Sequence, residues 1–160
     1  MGTLDVVYFY KYSHLESLLL TKHKPIGYRI YKALSSMTMK PFMEEFLESD
    51  DREVYIVGVD EYVKNGYAHV SLLTHAMQIG NSKIQHASLM ARNRVNYSGK
   101  PLQFRLDNPR DFKYSGKKDI DVILVDDIIT TGITLQEAQK VLSQSGVNVL
   151  FALVLADVDV

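Results

Sequence analysis

The segment Val122–Thr134, VILVDDIITTGIT, constrains this chain more than any other. Its four apolar residues, Val122 to Val125, extend a strand from Asp121 that has no polar face. A strand apolar on both sides belongs in a parallel sheet covered by helices on each face. Asp126 and Asp127 follow at its carboxyl end, where open α/β sheets bind ligands. The turn Thr130-Thr131-Gly132-Ile133-Thr134 then leads into a helix with an apolar stripe of Leu135, Ala138, Val141 and Leu142, closed by Gly146. Thr134, with Glu137 three residues on, has the form of a capping box with Thr134 as N-cap. Val149–Ala156 is another buried strand, so strand, helix and strand imply a right-handed crossover and parallel pairing.

Two adjacent carboxylates at a buried strand end need partners, either vicinal hydroxyls that donate to them or a divalent cation. The N–H groups of a helix N-terminus, threonine hydroxyls and a glycine that allows close approach form a phosphate cradle. A solvated strand end and an ordinary turn would explain a lone Asp-Asp or Thr-Thr-Gly, but not the whole ordered run. Carboxylates for sugar hydroxyls followed by donors for a phosphate describe a ribose 5-phosphate. Both aspartates are expected to face that ligand, so that replacing them leaves the fold intact.

The remaining sequence fits a single domain over 1–160, with a helical hood region at 1–50 and a core at 54–160. In the first third, Leu15, Leu18 and Leu19, then Ile30, Tyr31 and Leu34, then Phe42, Phe46 and Leu47 recur at helical spacing, with Pro25 and Pro41 starting or separating the pieces. The aromatic cluster Tyr8, Phe9, Tyr10 and Tyr12 is read as packing or as part of the hood. Val54–Val59 is a buried strand, and a helix carrying Val70, Leu73, Ala76 and Met77 ends at Gly80-Asn81. Ile84–Met90 is expected to be a strand, and 96–118 a long mobile loop with room for a short helical turn.

Composition narrows the function classes. The absence of cysteine excludes a disulfide scaffold, a thiolate zinc site and a cysteine nucleophile. The five histidines lack metal-ligand spacing, and no serine or threonine has an evident triad partner. The longest apolar run, Val149–Ala156, falls short of the ~20 residues of a membrane span, and the N-terminus lacks the order of a signal peptide. A soluble, cytoplasmic protein is the expectation, and the Met1-Gly2 start leaves room for upstream residues. Net charge is -1, yet Lys83–Lys118 holds nine basic and two acidic residues. A local +7 segment suggests an anionic partner or a solvated basic face. Tyr97 and Phe104 lie among these cations, an interleaving suited to single-stranded nucleic acid as well as to anchoring a loop. Arg94, Lys100 and Arg110 are the candidate nucleic-acid contacts.

The Val122–Thr134 segment resembles the 5-phosphoribosyl-1-pyrophosphate (PRPP) motif of type I phosphoribosyltransferases. That resemblance implies a parallel sheet flanked by helices with a small N-terminal helical hood. Asp126 and Asp127 would hold the ribose 2- and 3-hydroxyls, and Thr130, Thr131, Gly132, Ile133 and Thr134 the 5-phosphate. Mg²⁺ would be bound mainly to ligand oxygens with the Asp126-Asp127 pair close by. A narrower resemblance is to the ComF family of phosphoribosyltransferase-like competence proteins. It rests on Arg105, Asn108 and Phe112 ahead of the motif, and on Gly66 and Tyr67 in Asn65-Gly66-Tyr67-Ala68-His69. Gly58-Val59-Asp60 stands where that family has Pro-Val-Pro, and with Arg105 it is the candidate diphosphate contact. The cysteine-rich zinc module that many ComF proteins carry is absent from this sequence. The resemblance implies a PRPP-binding protein of natural transformation and DNA uptake, with single-stranded DNA and competence proteins as partners. A nucleobase-salvaging phosphoribosyltransferase and a non-catalytic PRPP sensor are the alternatives. No residue identifies itself as a general base, and whether the chain turns over PRPP stays open.

Overall fold

A computed structural model describes residues 3–63 and 66–159. The centre is a five-stranded sheet in the order β1 (Val6–Lys11), β7 (Asn148–Asp157), β6 (Asp121–Ile129), β2 (Val54–Gly58), β3 (Ser82–Ile84), with every pairing parallel. The apolar runs in β2, β6 and β7 become its buried middle. A sheet buried on both faces hides the backbone ladder as well as the side chains, which is why these strands show no polar alternation.

Helices α1 (Tyr12–Leu19), α2 (Pro25–Met37), α3 (Met39–Ser49) and α4 (His69–His75) contribute to one face. Leu15, Leu19, Tyr31, Leu34, Met39, Met43 and Leu73 pack there against Ile56, Ile123, Val125, Leu153 and Leu155. Helix α6 (Ile133–Gln144) covers the other face, with Leu135, Ala138 and Leu142 against Val57, Val122, Leu124 and Val154. Pro25 takes the first turn of α2, where its missing N–H costs no helical bond. Helices α1 to α3 therefore form part of one layer packed on the sheet, and Lys22 and Tyr31 reach the end of β6 from it.

Three expectations need correction. The first third is not wholly helical: Val6–Lys11 is an edge strand beside β7, favoured by its β-branched and aromatic residues. Phe9 packs edge-on against Phe42 at 6.0 Å between ring centres, whereas Tyr12 lines the cleft described below. Ile84–Met90 is not one strand, because β3 ends at Ile84 and β4 (Leu89–Ala91) leaves the main sheet. Finally, 96–118 is not a free loop. The expected short helical turn is α5 (Leu102–Asp107), but β5 (Phe112–Tyr114) pairs antiparallel with β4 and Phe112 is buried. Elements this short carry too little periodicity to register in a sequence. No described helix is long and apolar enough to cross a membrane.

Candidate functional site

The carboxyl ends of β2 and β6 open into a cleft of about 1070 Å³. Its wall includes Val59, Asp60, Arg94, Arg105, Arg110, Asp126, Asp127, Thr130, Gly132 and Thr134. Of the residues singled out from sequence, Gly58, Lys100, Thr131 and Ile133 do not line it.

Strand β6 runs through Ile129, so Asp126 and Asp127 are both strand residues, and their carboxyl groups lie close enough at the cleft to interact directly. Asp127 is 5% exposed. Its Oδ2 accepts from Lys22 Nζ at 3.1 Å and from the Tyr31 hydroxyl at 3.0 Å, and His69 Nε2 lies 3.4 Å away. Asp127 lines the cleft and through these contacts also ties the N-terminal helical layer to the sheet. Burial alone would raise its carboxyl, but Lys22, His69 and the hydrogen bonds hold it below the ordinary carboxylate range. Asp127 in turn pulls the Lys22 ammonium up. Burial, and then Asp127, push the Tyr31 hydroxyl up, while burial pushes the His69 imidazole down.

Asp126 is the more exposed of the two carboxylates. Its Oδ1 accepts the Asp127 N–H at 2.8 Å, and no cation contacts it among the described residues. Burial, with the Asp127 charge next, holds its carboxyl well above the usual range.

Past the strand, Gly132 has φ +83° and serves as N-cap of α6. The capping box is thus overturned. The helix begins one residue before Thr134, and the Glu137 carboxylate accepts the Arg110 N–H at 2.9 Å. A glycine in the left-handed region turns the chain without a capping side chain. The first helical bond is Gln136 N–H to Gly132 C=O at 3.0 Å, and the N–H groups of Thr134 and Leu135 have no partner among the described residues. They are the open donors of a helix N-terminus, with its partial positive charge.

The basic segment closes the other side. Arg105 donates to the Thr130 hydroxyl at 2.7 Å, which puts it beside the 130–134 turn. Its guanidinium and that of Arg110 lie 5.5 and 4.2 Å from the Tyr97 ring centre. Tyr97 is buried, and its hydroxyl donates to Asn108 C=O, so it anchors the segment and offers no face to a base. Asn108 also donates to Phe104 C=O at 2.9 Å. Arg94 is bidentate on Asp60 at 2.8 and 3.1 Å. Asp60 has φ +49°, and its carboxylate also accepts the Ala91 N–H, so the 58–60 turn is braced by the β4 segment. A Cβ on Gly58 would come within 2.6 Å of the buried Glu61 carboxylate, which requires glycine there.

Lys22, Tyr31 and His69 are site residues that the sequence did not single out. Buried carboxylates need buried donors, and Tyr31 on the apolar stripe of α2 was the available signal. The Tyr67 hydroxyl, donating to Lys24 C=O at 2.8 Å, fixes the turn that carries Lys22. Asn65, part of the same sequence motif, lies outside the described residues.

No protein-family model matches the chain, and no curated protein matches it. Among solved structures, an adenine phosphoribosyltransferase aligns with TM-score 0.52 and 20% identity over 88% of this chain and 75% of its own. A hypoxanthine phosphoribosyltransferase from Staphylococcus aureus aligns with TM-score 0.51 and 17% identity, over 79% of this chain. The chain spans 64% of the length of that enzyme. At such identities the likeness establishes the fold, which is that of the type I phosphoribosyltransferases.

Proposed function

We propose that this protein binds PRPP in the cleft between Asp126 and the 130–134 turn, as a phosphoribosyltransferase-like protein of the ComF kind. The observation that carries the reading is the juxtaposition of a half-buried carboxylate that no cation contacts among the described residues with an open helix N-terminus, flanked by Arg105 and Arg110. Asp126 suits the ribose hydroxyls. Thr130, Thr131, Gly132, Ile133 and Thr134 suit the 5-phosphate, with Arg105 alongside. Arg94, held by Asp60 at the Gly58-Val59-Asp60 turn, is the cation at the proposed diphosphate end.

Mg²⁺ fits as a passenger on the ligand. Among the described residues no cluster of three or more metal-ligating side chains exists, and Asp127 is occupied by Lys22. Asp126 is the carboxylate that would stand nearest the ion, whose main ligands would be ligand oxygens and water. If turnover occurs, the bond from the anomeric carbon to the diphosphate oxygen breaks as an acceptor's lone pair attacks. The chain's part is to orient the ribose and stabilise the departing charge.

Titration calorimetry with PRPP and Mg²⁺ tests the reading. Arg105→Ala removes one charge-assisted contact, worth about 1.5–3 kcal/mol, and is expected to weaken binding about 10- to 100-fold. No binding by the wild type, or equal binding by the variant, refutes the assignment. Diphosphate release with nucleobase acceptors separates a salvage enzyme from a PRPP sensor.

Arg105, Asn108 and Phe112, the ComF-like residues, converge on one unit: Arg105 reaches the turn, Asn108 holds Tyr97, and Phe112 anchors β5 in the core. That arrangement supports the competence reading, with single-stranded DNA as a partner. Lys100, exposed 5.2 Å from the Phe104 ring centre, is its leading contact, with Arg94 and Arg110 as the further candidates. Fluorescence anisotropy with a labelled single strand is expected to show weak, salt-sensitive binding that Lys100→Glu reduces. Absence of binding at low salt removes direct DNA contact.

A further inference from the structure

The two edges of the sheet are unequal. Strand β3 is three residues long, and its Lys83 is exposed and paired with Glu53, so that edge is short and charged. Strand β1 is six residues long, Val-Val-Tyr-Phe-Tyr-Lys, with Val7 37% and Tyr8 41% exposed. Natural sheets rarely leave an edge of that kind open.

The register shows which groups are free. Asp5 C=O accepts the Ala152 N–H, so in the parallel ladder the odd residues of β1 turn their backbone groups toward β7. The N–H and C=O groups of Val6, Tyr8 and Tyr10 then point away from the sheet. Among the described residues none of them bonds outside the β1–β7 ladder.

This edge complements itself. An antiparallel two-fold centred on Tyr8 pairs Tyr8 with Tyr8, Val6 with Tyr10, Val7 with Phe9 and Asp5 with Lys11. The outward residues Val6, Tyr8 and Tyr10 fall at the hydrogen-bonded positions, giving about six bonds between copies. Asp5 and Lys11 fall at a non-hydrogen-bonded position, where side chains come closest, and meet with opposite charge at both ends. We propose that β1 is a homodimer interface, joining two copies edge to edge into one continuous sheet through the Asp5–Lys11 segment. The interface is isologous, as closed two-fold dimers require. It does not depend on the ligand reading above.

Sedimentation velocity on the full chain, from about 5 to 200 μM, is the test, because an interface this small associates weakly. The wild type is expected to be a dimer at the upper end. Lys11→Asp places like charges opposite each other twice and raises the dissociation constant about ten-fold. Adding Asp5→Lys to that variant restores dimerisation. Tyr8→Pro removes an outward N–H while sparing the ladder to β7, and should abolish the dimer with the circular-dichroism spectrum retained. A monomeric wild type overturns the proposal, as does a dimer that Tyr8→Pro leaves intact or that the two charge variants leave unchanged.

Discussion

Asp127→Ala should destabilise the protein by about 3 kcal/mol, the cost of stranding one member of a largely buried ion pair. The substitution leaves Lys22 beside the cleft without a counter-charge and the Tyr31 hydroxyl, on a fully buried side chain, without its carboxylate acceptor. Three elements lose their common anchor, since Lys22 follows α1, Tyr31 lies in α2 and His69 begins α4. Urea unfolding at pH 7 measures the loss, and Asp127→Asn, which can still accept from Tyr31, should lose less. The pH dependence carries the same signature. The Asp127 carboxyl is depressed in the folded state from an unfolded value near 3.8. Its contribution is therefore present above that value and fades as pH falls through the folded one. Lys22 is raised from 10.5, so its contribution holds below that pH and fades as the solution becomes more alkaline. Wild type and Asp127→Ala should thus differ most between these limits and converge in strong acid. Equal stability at pH 7 would show that Asp127 is not a structural anchor. A loss of PRPP binding in this variant alone would say little about ligand contact, because the cleft wall itself is disturbed.

The central strands and the turn after β6 were legible because their signals are local. Four apolar residues, two aspartates and a glycine-threonine turn fix a strand, its end and a helix start within thirteen positions. The partners of Asp127 were not legible, because Lys22 and His69 reach it across 105 and 58 positions and Tyr31 looks like any aromatic residue on an apolar helix stripe. Strand β1 was hidden because leucines at helical spacing follow it and its partner β7 is the last strand of the chain. The capping box failed for a different reason. Thr134 and Glu137 have the right spacing, but Gly132 already ends the turn, and the Glu137 carboxylate is taken by the Arg110 N–H from the β5 side. Tertiary contacts decide such cases, and a local pattern cannot register them.

Asp126→Asn should act in the opposite sense to Asp127→Ala, making the unliganded protein more stable while weakening PRPP. Asp126 is half-buried, has no cation against it among the described residues, and sits next in the chain to the charged Asp127. Its carboxyl is therefore raised above an unfolded value near 3.8. Below that pH both states are protonated and the residue is neutral to stability. As pH rises the unfolded chain ionises first, so the folded state loses ground until its own carboxyl ionises. Asparagine removes that loss while its amide oxygen can still accept the Asp127 N–H. A gain of about 1 kcal/mol at pH 7.5, or roughly 2–4 °C in Tm for a domain of this size, is the expected scale. The gain should vanish near pH 3.5, where the carboxyl is protonated in both states. The ligand sees the reverse: an amide is a weaker acceptor for ribose hydroxyls, and losing the charge-assisted bond should weaken PRPP about 10- to 100-fold. A carboxylate that costs the unliganded protein stability is what the PRPP proposal requires of Asp126. Thermal melts at pH 3.5 and 7.5, combined with PRPP titration of the same preparation, test both halves. A variant no more stable than wild type at pH 7.5 would overturn the electrostatic assignment of Asp126, and unchanged PRPP affinity would remove it from the ribose site.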